Sequence, residues 1–215
     1  MPEIHEFYFL RHGETVANLE GRLQGQTNTP LTERGRRQAR WLASRWLQTG
    51  IRFDAIISSP QTRAIETAQI IRAGMSVPAP IETGPLWIER SFGILEGEHM
   101  QDISKRQPAV DYFHPYAGFD GTGETQTELY VRAMQAVQQV VQRPPGCYLV
   151  VSHGAFLTRV FFAILGVTPV GHQASLTFRV ENTGYLHALY ENARKRWNIL
   201  SFTNPAEFDP LPEVA

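Results

Sequence analysis

The sequence predicts an α/β fold, a three-layer α/β/α sandwich built on a mostly parallel central sheet. Short apolar runs alternate with longer segments of helical periodicity, and the three clearest runs each end on a polar cluster. A parallel strand covered on both faces has no solvent side, so it reads as unbroken apolar sequence rather than as alternation. The 215 residues are 42% hydrophobic and 19% charged, an ordinary globular balance with enough chain for one sizeable core.

The first strand is Phe7-Tyr8-Phe9-Leu10, stopping at Arg11-His12-Gly13. Glu33 to Gln48 reads as a helix, because Ala39, Leu42, Ala43, Trp46 and Leu47 share one face and Thr32 stands ready to cap it. Asp54-Ala55-Ile56-Ile57 is the second strand. After it, Ser59 as cap with Pro60 at the first helical position predicts a helix to about Arg72 that buries Ala64, Ala68 and Ile71. Gly84 to Pro115 reads as irregular with one short helix around Gln101, and Gly118 to Gly123 as loop. A helix near Glu124 to Gln142 carries Leu129, Ala133, Val137 and Val140 at helical spacing and ends at Pro144-Pro145. Tyr148 to Val151 is the third buried strand, halting at Ser152-His153-Gly154 before an apolar helix, Phe156 to Leu165, closed by Gly166. Tyr185 to Tyr190 and Trp197 to Phe202 predict a hairpin, whose orientation in the sheet stays open. One domain is expected over residues 1–202, with a lid insertion at about 90–123 and a loosely ordered C-terminal tail over 203–215.

Composition narrows the function. Twenty basic residues against 21 acidic ones leave a net charge of −1, which argues against a nucleic-acid partner. The single cysteine, Cys147, excludes an intramolecular disulfide and a Cys-rich zinc site. No stretch approaches the ~20 apolar residues of a membrane span, and the start has no cationic segment of secretory type. A cytoplasmic protein with no membrane partner is expected. No His-Glu-x-x-His or comparable ligand cluster occurs, so neither metal nor cofactor is expected. The oligomeric state stays open, a dimer being compatible with the chain.

If the three apolar strands are parallel, Arg11-His12, Ser58 to Arg63 and Ser152-His153 all lie at the carboxyl edge of one sheet, where open α/β sheets bind ligands. Two arginines and two histidines then converge on one pocket. A phosphate monoester, carrying close to two negative charges, suits such a pocket. Guanidinium forks hold its oxygens in pairs, helix starts after Ser59 and His153 add N–H donors, and imidazole supplies a nucleophile or proton carrier. Neighbouring cations disfavour imidazolium and keep a ring nitrogen free to attack. Singly, each residue has a blander reading: a satisfied strand-end histidine, a solvated helix arginine at 63, a turn at Gly13. Their conjunction outweighs those readings.

Leu10-Arg11-His12-Gly13-Glu14-Thr15, followed by Asn18, Gln24-Gly25, Pro30-Leu31-Thr32, Gly35 and Gln38-Ala39, resembles the histidine phosphatase superfamily in its phosphoglycerate mutase-like branch. Four further blocks follow in order: Ser58 to Ala64 with Thr67-Ala68; Leu86 to Arg90 with Phe92-Gly93 and Glu96-Gly97; Gly123-Glu124-Thr125 with Arg132; and Val151 to Gly154. The resemblance implies that His12 is a nucleophile forming a phosphohistidine. It implies that Arg11, Arg63 and His153 clamp the phosphoryl oxygens. Asn18, Gln24, Gly25, Arg90, Phe92, Gly154 and Ala155 would contact the substrate, and Glu89 would act as general acid, then base. Glu14 and Glu124 are alternative acids.

Two reactions compete within the resemblance. Mutases of this branch carry a longer insertion before the last histidine, with a lysine and paired arginines for the glycerate carboxylate. Here that insertion is short, no Arg-Arg pair lies between Glu89 and His153, and Phe92 stands where those mutases have tyrosine. Hydrolysis of a small phosphorylated metabolite is therefore favoured over phosphoglycerate mutation. Ala155, where the acid phosphatase branch has an acid, keeps the chain in the mutase-like branch. A non-catalytic phosphate-binding protein is the third reading, disfavoured because the site is complete. The aromatics Phe92, Tyr112, Phe113, Tyr116 and Phe119 are expected to pack the lid on the body more than to line an apolar pocket.

Overall fold

A computed structural model describes residues 4–106, 109–111, 114–119, 121–168 and 177–205. In chain order these form β1 (Ile4–Arg11), α1 (Val16–Leu19), α2 (Glu33–Gln48), β2 (Ala55–Ser58), α3 (Thr62–Met75) and β3 (Ile81–Thr83). Then come α4 (Met100–Ser104), α5 (Gln126–Val141), β4 (Cys147–Ser152), α6 (Gly154–Leu165), β5 (Tyr185–Glu191) and β6 (Arg196–Thr203). Among the described residues no helix is long and apolar enough to cross a membrane. The looseness expected of the C-terminal tail falls mostly on 206–215, outside the described residues.

The strands form one sheet in the order β3-β2-β4-β1-β5-β6. β3, β2, β4 and β1 run parallel, and β5 and β6 are antiparallel. Both faces of β1 are buried, as its unbroken apolar sequence requires. Phe7 and Phe9 point to one side with Val150 of β4 and with Leu129, Ala133, Phe156 and Val160 of α5 and α6. Tyr8 and Leu10 point to the other with Ala39, Leu42, Trp46, Ala64, Ala68 and Ile71 of α2 and α3. Burying one such aliphatic or aromatic side chain contributes roughly 1.5–3 kcal/mol, so these two layers carry the fold. β1 and β4 are neighbours, yet the helices that follow them lie on opposite faces. Their carboxyl ends therefore open a crevice.

Two expectations need correction. Ser59 does not cap the helix after β2, and Pro60 is not its first residue. The helix starts at Thr62 with Gln61 in the cap position. Ser59 instead prolongs the sheet, its N–H donating to the Val151 carbonyl at 2.9 Å, while its hydroxyl bonds His153 Nε2 at 2.8 Å. The first N–H of α3, that of Thr62, donates to Asn28 Oδ1 at 3.3 Å. The same helix runs past Arg72 to Met75 and ends on Ser76 in the left-handed region (φ 51°). Thr32 caps α2 as expected, accepting from Gly35 N–H. Gly166, at φ 70°, closes α6, a conformation that favours glycine.

The lid has its own small core of Phe92, Leu95, Ile103 and Phe119, packed against Leu23, Val110 and Ala155. Tyr116 is exposed, and Tyr112 and Phe113 lie outside the described residues. Of the described lid aromatics, Phe92 and Phe119 thus pack into this core, and Phe92 also lines the space beside it.

Candidate active site

The parallel register sets Arg11 of β1 beside Ser152 of β4, and Ser58 of β2 beside Val151. Each chain continues one residue further in the ladder. His12 N–H donates to the Ser152 carbonyl at 3.0 Å, so His12, Ser59 and His153 emerge side by side beyond the sheet edge. The two imidazoles lie 5.1 Å apart between centroids, tilted by 58°.

Protons on both rings are assigned by their partners. His12 Nδ1 is 2.7 Å from the Gly13 carbonyl, which can only accept, so Nδ1 carries the hydrogen and Nε2 the lone pair. Arg63 Nε, which can only donate, reaches His12 Nε2 at 3.3 Å and His153 Nδ1 at 3.2 Å. His153 therefore holds its hydrogen on Nε2 and gives it to Ser59 Oγ. Burial, then Arg63 and Arg11, hold His12 well below the ordinary histidine value. His153 is held low by burial, Arg63, His12 and Arg11. Both rings are neutral at physiological pH.

Arg63 is buried. Its terminal nitrogens donate to the carbonyls of Thr27 (2.7 Å) and Gly25 (2.8 Å), which ties the loop after α1 to the site. Arg11 donates from Nη1 to the Val180 carbonyl at 2.7 Å. Its Nε is buried without a hydrogen-bond partner among the described residues, close to Gly154 at the start of α6. A guanidinium edge, a helix start and a lone-pair nitrogen face one open cleft of about 490 Å³.

Glu89 is the acid among the described residues lining that cleft. Its carboxylate is pinned at the start of α6, accepting from Phe156 N–H (2.9 Å) and Ala155 N–H (3.2 Å). A third donor is Arg90 N–H at 2.8 Å. The helix dipole favours an anion in that place. The two alternative acids are engaged elsewhere. Glu14 binds Thr32 and Arg34, and Glu124 accepts both Nε and Nη2 of Arg132.

Of the other expected contacts, Asn18, Gln24, Gly25, Phe92, Gly154 and Ala155 line the cleft. Gln24 Oε1 accepts from Thr15 and Thr29, and the Ala155 N–H is already given to Glu89. Two residues depart from expectation. Arg90 lies outside the cleft, donating to the Glu124 carbonyl and stacking over Phe92 and Phe119 at 5.4 and 4.7 Å. His153 is fully buried behind Arg63, with both ring nitrogens bonded to protein. Lys105 and Arg106 pair with Asp102 and Glu98 and do not line the cleft.

Sequence reasoning assigned no part to several residues that position the site. Gln61 bridges the Gly25 carbonyl and the Glu89 N–H. Thr67 Oγ1 accepts from Gly13 N–H. Arg132 donates to the carbonyls of Leu86, Ile88 and Glu89, bracing the segment that carries the acid. Asn182 Nδ2 donates to the His12 carbonyl and to Asn18 Oδ1. Its neighbour Thr183 is β-branched yet held at φ 58°, with its N–H directed at the Arg11 and His12 carbonyls. Such strain costs about 1–3 kcal/mol and persists where the surroundings enforce it. This loop lies just before β5, and its residues carry no local sequence pattern that would have marked them.

The family model for the histidine phosphatase superfamily (branch 1) matches residues 7–204. A Cronobacter sakazakii protein named probable phosphoglycerate mutase GpmB is 36% identical over 166 residues, 75% of this chain and 75% of that one. A metal-independent phosphoserine phosphatase of Arabidopsis thaliana is 33% identical over 174 residues, 79% of this chain and 72% of the relative. The solved structure of Bacillus stearothermophilus YhfR superimposes with a TM-score of 0.78 at 31% identity, covering 91% of this chain and 95% of the other. The match runs from the first strand through the last, and the arginine–histidine cage closes at the sheet edge where those strands bring it. The chain belongs to branch 1 of the histidine phosphatase superfamily.

Proposed function

We propose that the protein is a phosphatase that hydrolyses a small organic phosphate monoester through a covalent phosphohistidine on His12, with Glu89 as general acid and then base. The observation that carries this reading is the His12 tautomer. With Nδ1–H held by the Gly13 carbonyl, the Nε2 lone pair is the atom left at the cleft beside Arg63. A neutral, oriented imidazole among cations is what attack on a phosphate dianion needs.

His12 Nε2 attacks phosphorus as the bond from phosphorus to the alcohol oxygen breaks. Glu89, in its acid form, gives its proton to the departing oxygen. The carboxylate then takes a proton from water, whose oxygen attacks phosphorus, and the nitrogen–phosphorus bond breaks to return neutral His12 and inorganic phosphate. Arg11 and Arg63 stabilise the charge that spreads over the phosphoryl oxygens in both steps. His153 holds Arg63 from behind through the 3.2 Å contact at Nδ1.

Water as acceptor is supported by the lid, whose Lys105 and Arg106 are paired with acids and absent from the cleft lining. The mutase reading is favoured by the name of the Cronobacter relative. One experiment separates them. Phosphate release is followed from a panel of phosphorylated metabolites, with EDTA present, for wild type and His12→Ala. Isomerisation of 3-phosphoglycerate, with and without 2,3-bisphosphoglycerate, is followed in parallel. Release that vanishes in His12→Ala is the expected result. Isomerisation without net release makes the protein a mutase. Silence on both supports phosphate binding without turnover, and a metal-reversible loss in EDTA contradicts the scheme.

A further inference from the structure

Beside the cleft lies a second cavity of about 360 Å³ that shares Leu23, Phe92, Met100, Ala155, Thr158 and Thr177 with it. The part not shared with the cleft is lined by Arg90, Gln126, Leu129 and Arg159 of α6, the last only 5% exposed. Arg159 Nε donates to Gln126 Oε1 at 2.6 Å, and its guanidinium lies 4.7 Å over the Phe162 ring. An arginine offers five N–H donors, and a described residue takes only this one. Three other partly buried arginines have carboxylates: Arg132 has Glu124, Arg143 has Glu82 and Arg36 has Glu66; Arg11 and Arg63, which face the phosphoryl cleft, bond to carbonyls and histidines instead. Arg159 has none among the described residues. Burial alone pulls it down to about 10, so it remains charged at neutral pH. A buried charge without a counter-ion is unfavourable unless something binds it.

We infer that Arg159 forms a second anion site, which receives a carboxylate or second phosphoryl group on the alcohol side of the phosphate ester. The inference rests on the phosphatase reading and names its substrate class: short, doubly anionic phosphate esters. Distance along α6 supports the assignment. Gly154, at the helix start, adjoins Arg11 of the phosphoryl site. Ala155, next in the chain, lines both cavities, and Arg159 stands one turn beyond it on the same face, about 6 Å along the axis; helical side chains also lean back toward the N-terminus. A skeleton of a few carbons spans that interval. Leu23, Phe92, Met100 and Leu129 make the intervening walls apolar, which strengthens a charge–charge contact inside.

The test uses two matched pairs of esters. 3-Phosphoglycerate has a carboxylate where glycerol 3-phosphate has a hydroxymethyl group; 1,3-propanediol bisphosphate and its monophosphate differ only by a phosphoryl group. For at least one pair, wild type is expected to favour the doubly anionic member in kcat/KM by at least about tenfold. Arg159→Gln should shrink that ratio on the order of 10- to 100-fold, chiefly through KM, as removal of a charge-assisted bond in a buried site does. The pair that responds identifies the anion. Equal turnover within both pairs by wild type, or a ratio unchanged in Arg159→Gln, overturns the inference. Should Arg159→Gln fail to fold, Arg159→Met keeps the aliphatic packing and carries the same comparison. Should no ester be hydrolysed, the phosphatase reading fails separately. Calorimetric titration of the pairs onto His12→Ala, with and without Arg159→Gln, then still reads the site. Tighter binding of the doubly anionic member that Arg159→Gln abolishes supports it, and equal binding refutes it.

Discussion

Replacing Glu89 by glutamine separates a chemical role from a structural one, because the geometry sets the size of each. Glu89 Oε1 accepts from Arg90 and Phe156 N–H, and Oε2 from Ala155 N–H. A glutamine can place its carbonyl oxygen at the first position, keeping two bonds. Its amide nitrogen then faces the Ala155 N–H, and one buried donor loses its partner. That costs about 1–3 kcal/mol, or on the order of 2–12 °C in Tm at roughly 2–4 °C per kcal/mol for this size. The fold survives, so the kinetics can be read. Losing a general acid costs about 10²- to 10⁴-fold in the step that needs it. An aliphatic alkoxide needs that proton, and nitrophenolate departs largely without it. Rapid-quench measurement of phosphoenzyme formation should therefore show Glu89→Gln slowed by that factor with an alkyl phosphate and only modestly with nitrophenyl phosphate. Phosphoenzyme should also accumulate with the latter, since the base for water is gone. Equal slowing of the first step with both esters would refute the assignment and return Glu89 to a purely structural post.

The remaining predictions concern the frame around the cage. Folded-state His12 and His153 are held below their unfolded value near 6.5, so the stability they confer is full above that pH and drains as pH falls below it. Each adds a slope of up to about 1.4 kcal/mol per pH unit, and urea unfolding across about pH 5 to 7 should show a shallower slope in His12→Gln; identical slopes would contradict the neutral assignment. Arg132→Ala should cost up to about 3–5 kcal/mol by stranding the partly buried Glu124 and freeing the carbonyls of Leu86 and Ile88, with Arg132→Lys failing to restore it because an ammonium lacks the fork. Thermal melts with Tm values near wild type would show that the brace is dispensable. Gly35→Ala places a Cβ 2.1 Å from the Glu14 carbonyl oxygen, backbone against backbone, and should destabilise by at least about 1–3 kcal/mol in denaturant titration. A midpoint equal to wild type would mean that the loop after β1 yields freely.

What the sequence by itself determined is whatever depends on contacts made within a few residues or repeated along an element. β1, β2 and β4 were legible because strands buried on both faces must be continuously apolar. α2 was legible because Thr32 caps locally and Ala39, Leu42, Ala43 and Trp46 recur at the helical period. Three parallel strands ending in Arg11-His12, Ser58 to Arg63 and Ser152-His153 placed the cage at one edge. The tertiary structure decided the rest, and in each case the deciding partner is far along the chain. Ser59 has the local chemistry of a helix cap, but His153, 94 residues away, binds its hydroxyl, and the helix begins three residues later. Arg90 has the look of a phosphate-contacting arginine, yet the Glu124 carbonyl and two phenyl rings hold it in the wall of the adjoining cavity, outside the cleft at His12. Glu89 became the acid of the cleft through the N–H groups of Ala155 and Phe156, while Glu14 and Glu124, equal to it as letters, were taken by arginines. The β5 approach, with Val180 holding Arg11 and Asn182 holding His12, carries no motif at all. A backbone carbonyl is the same in every residue, and only the folded chain selects which one a guanidinium meets.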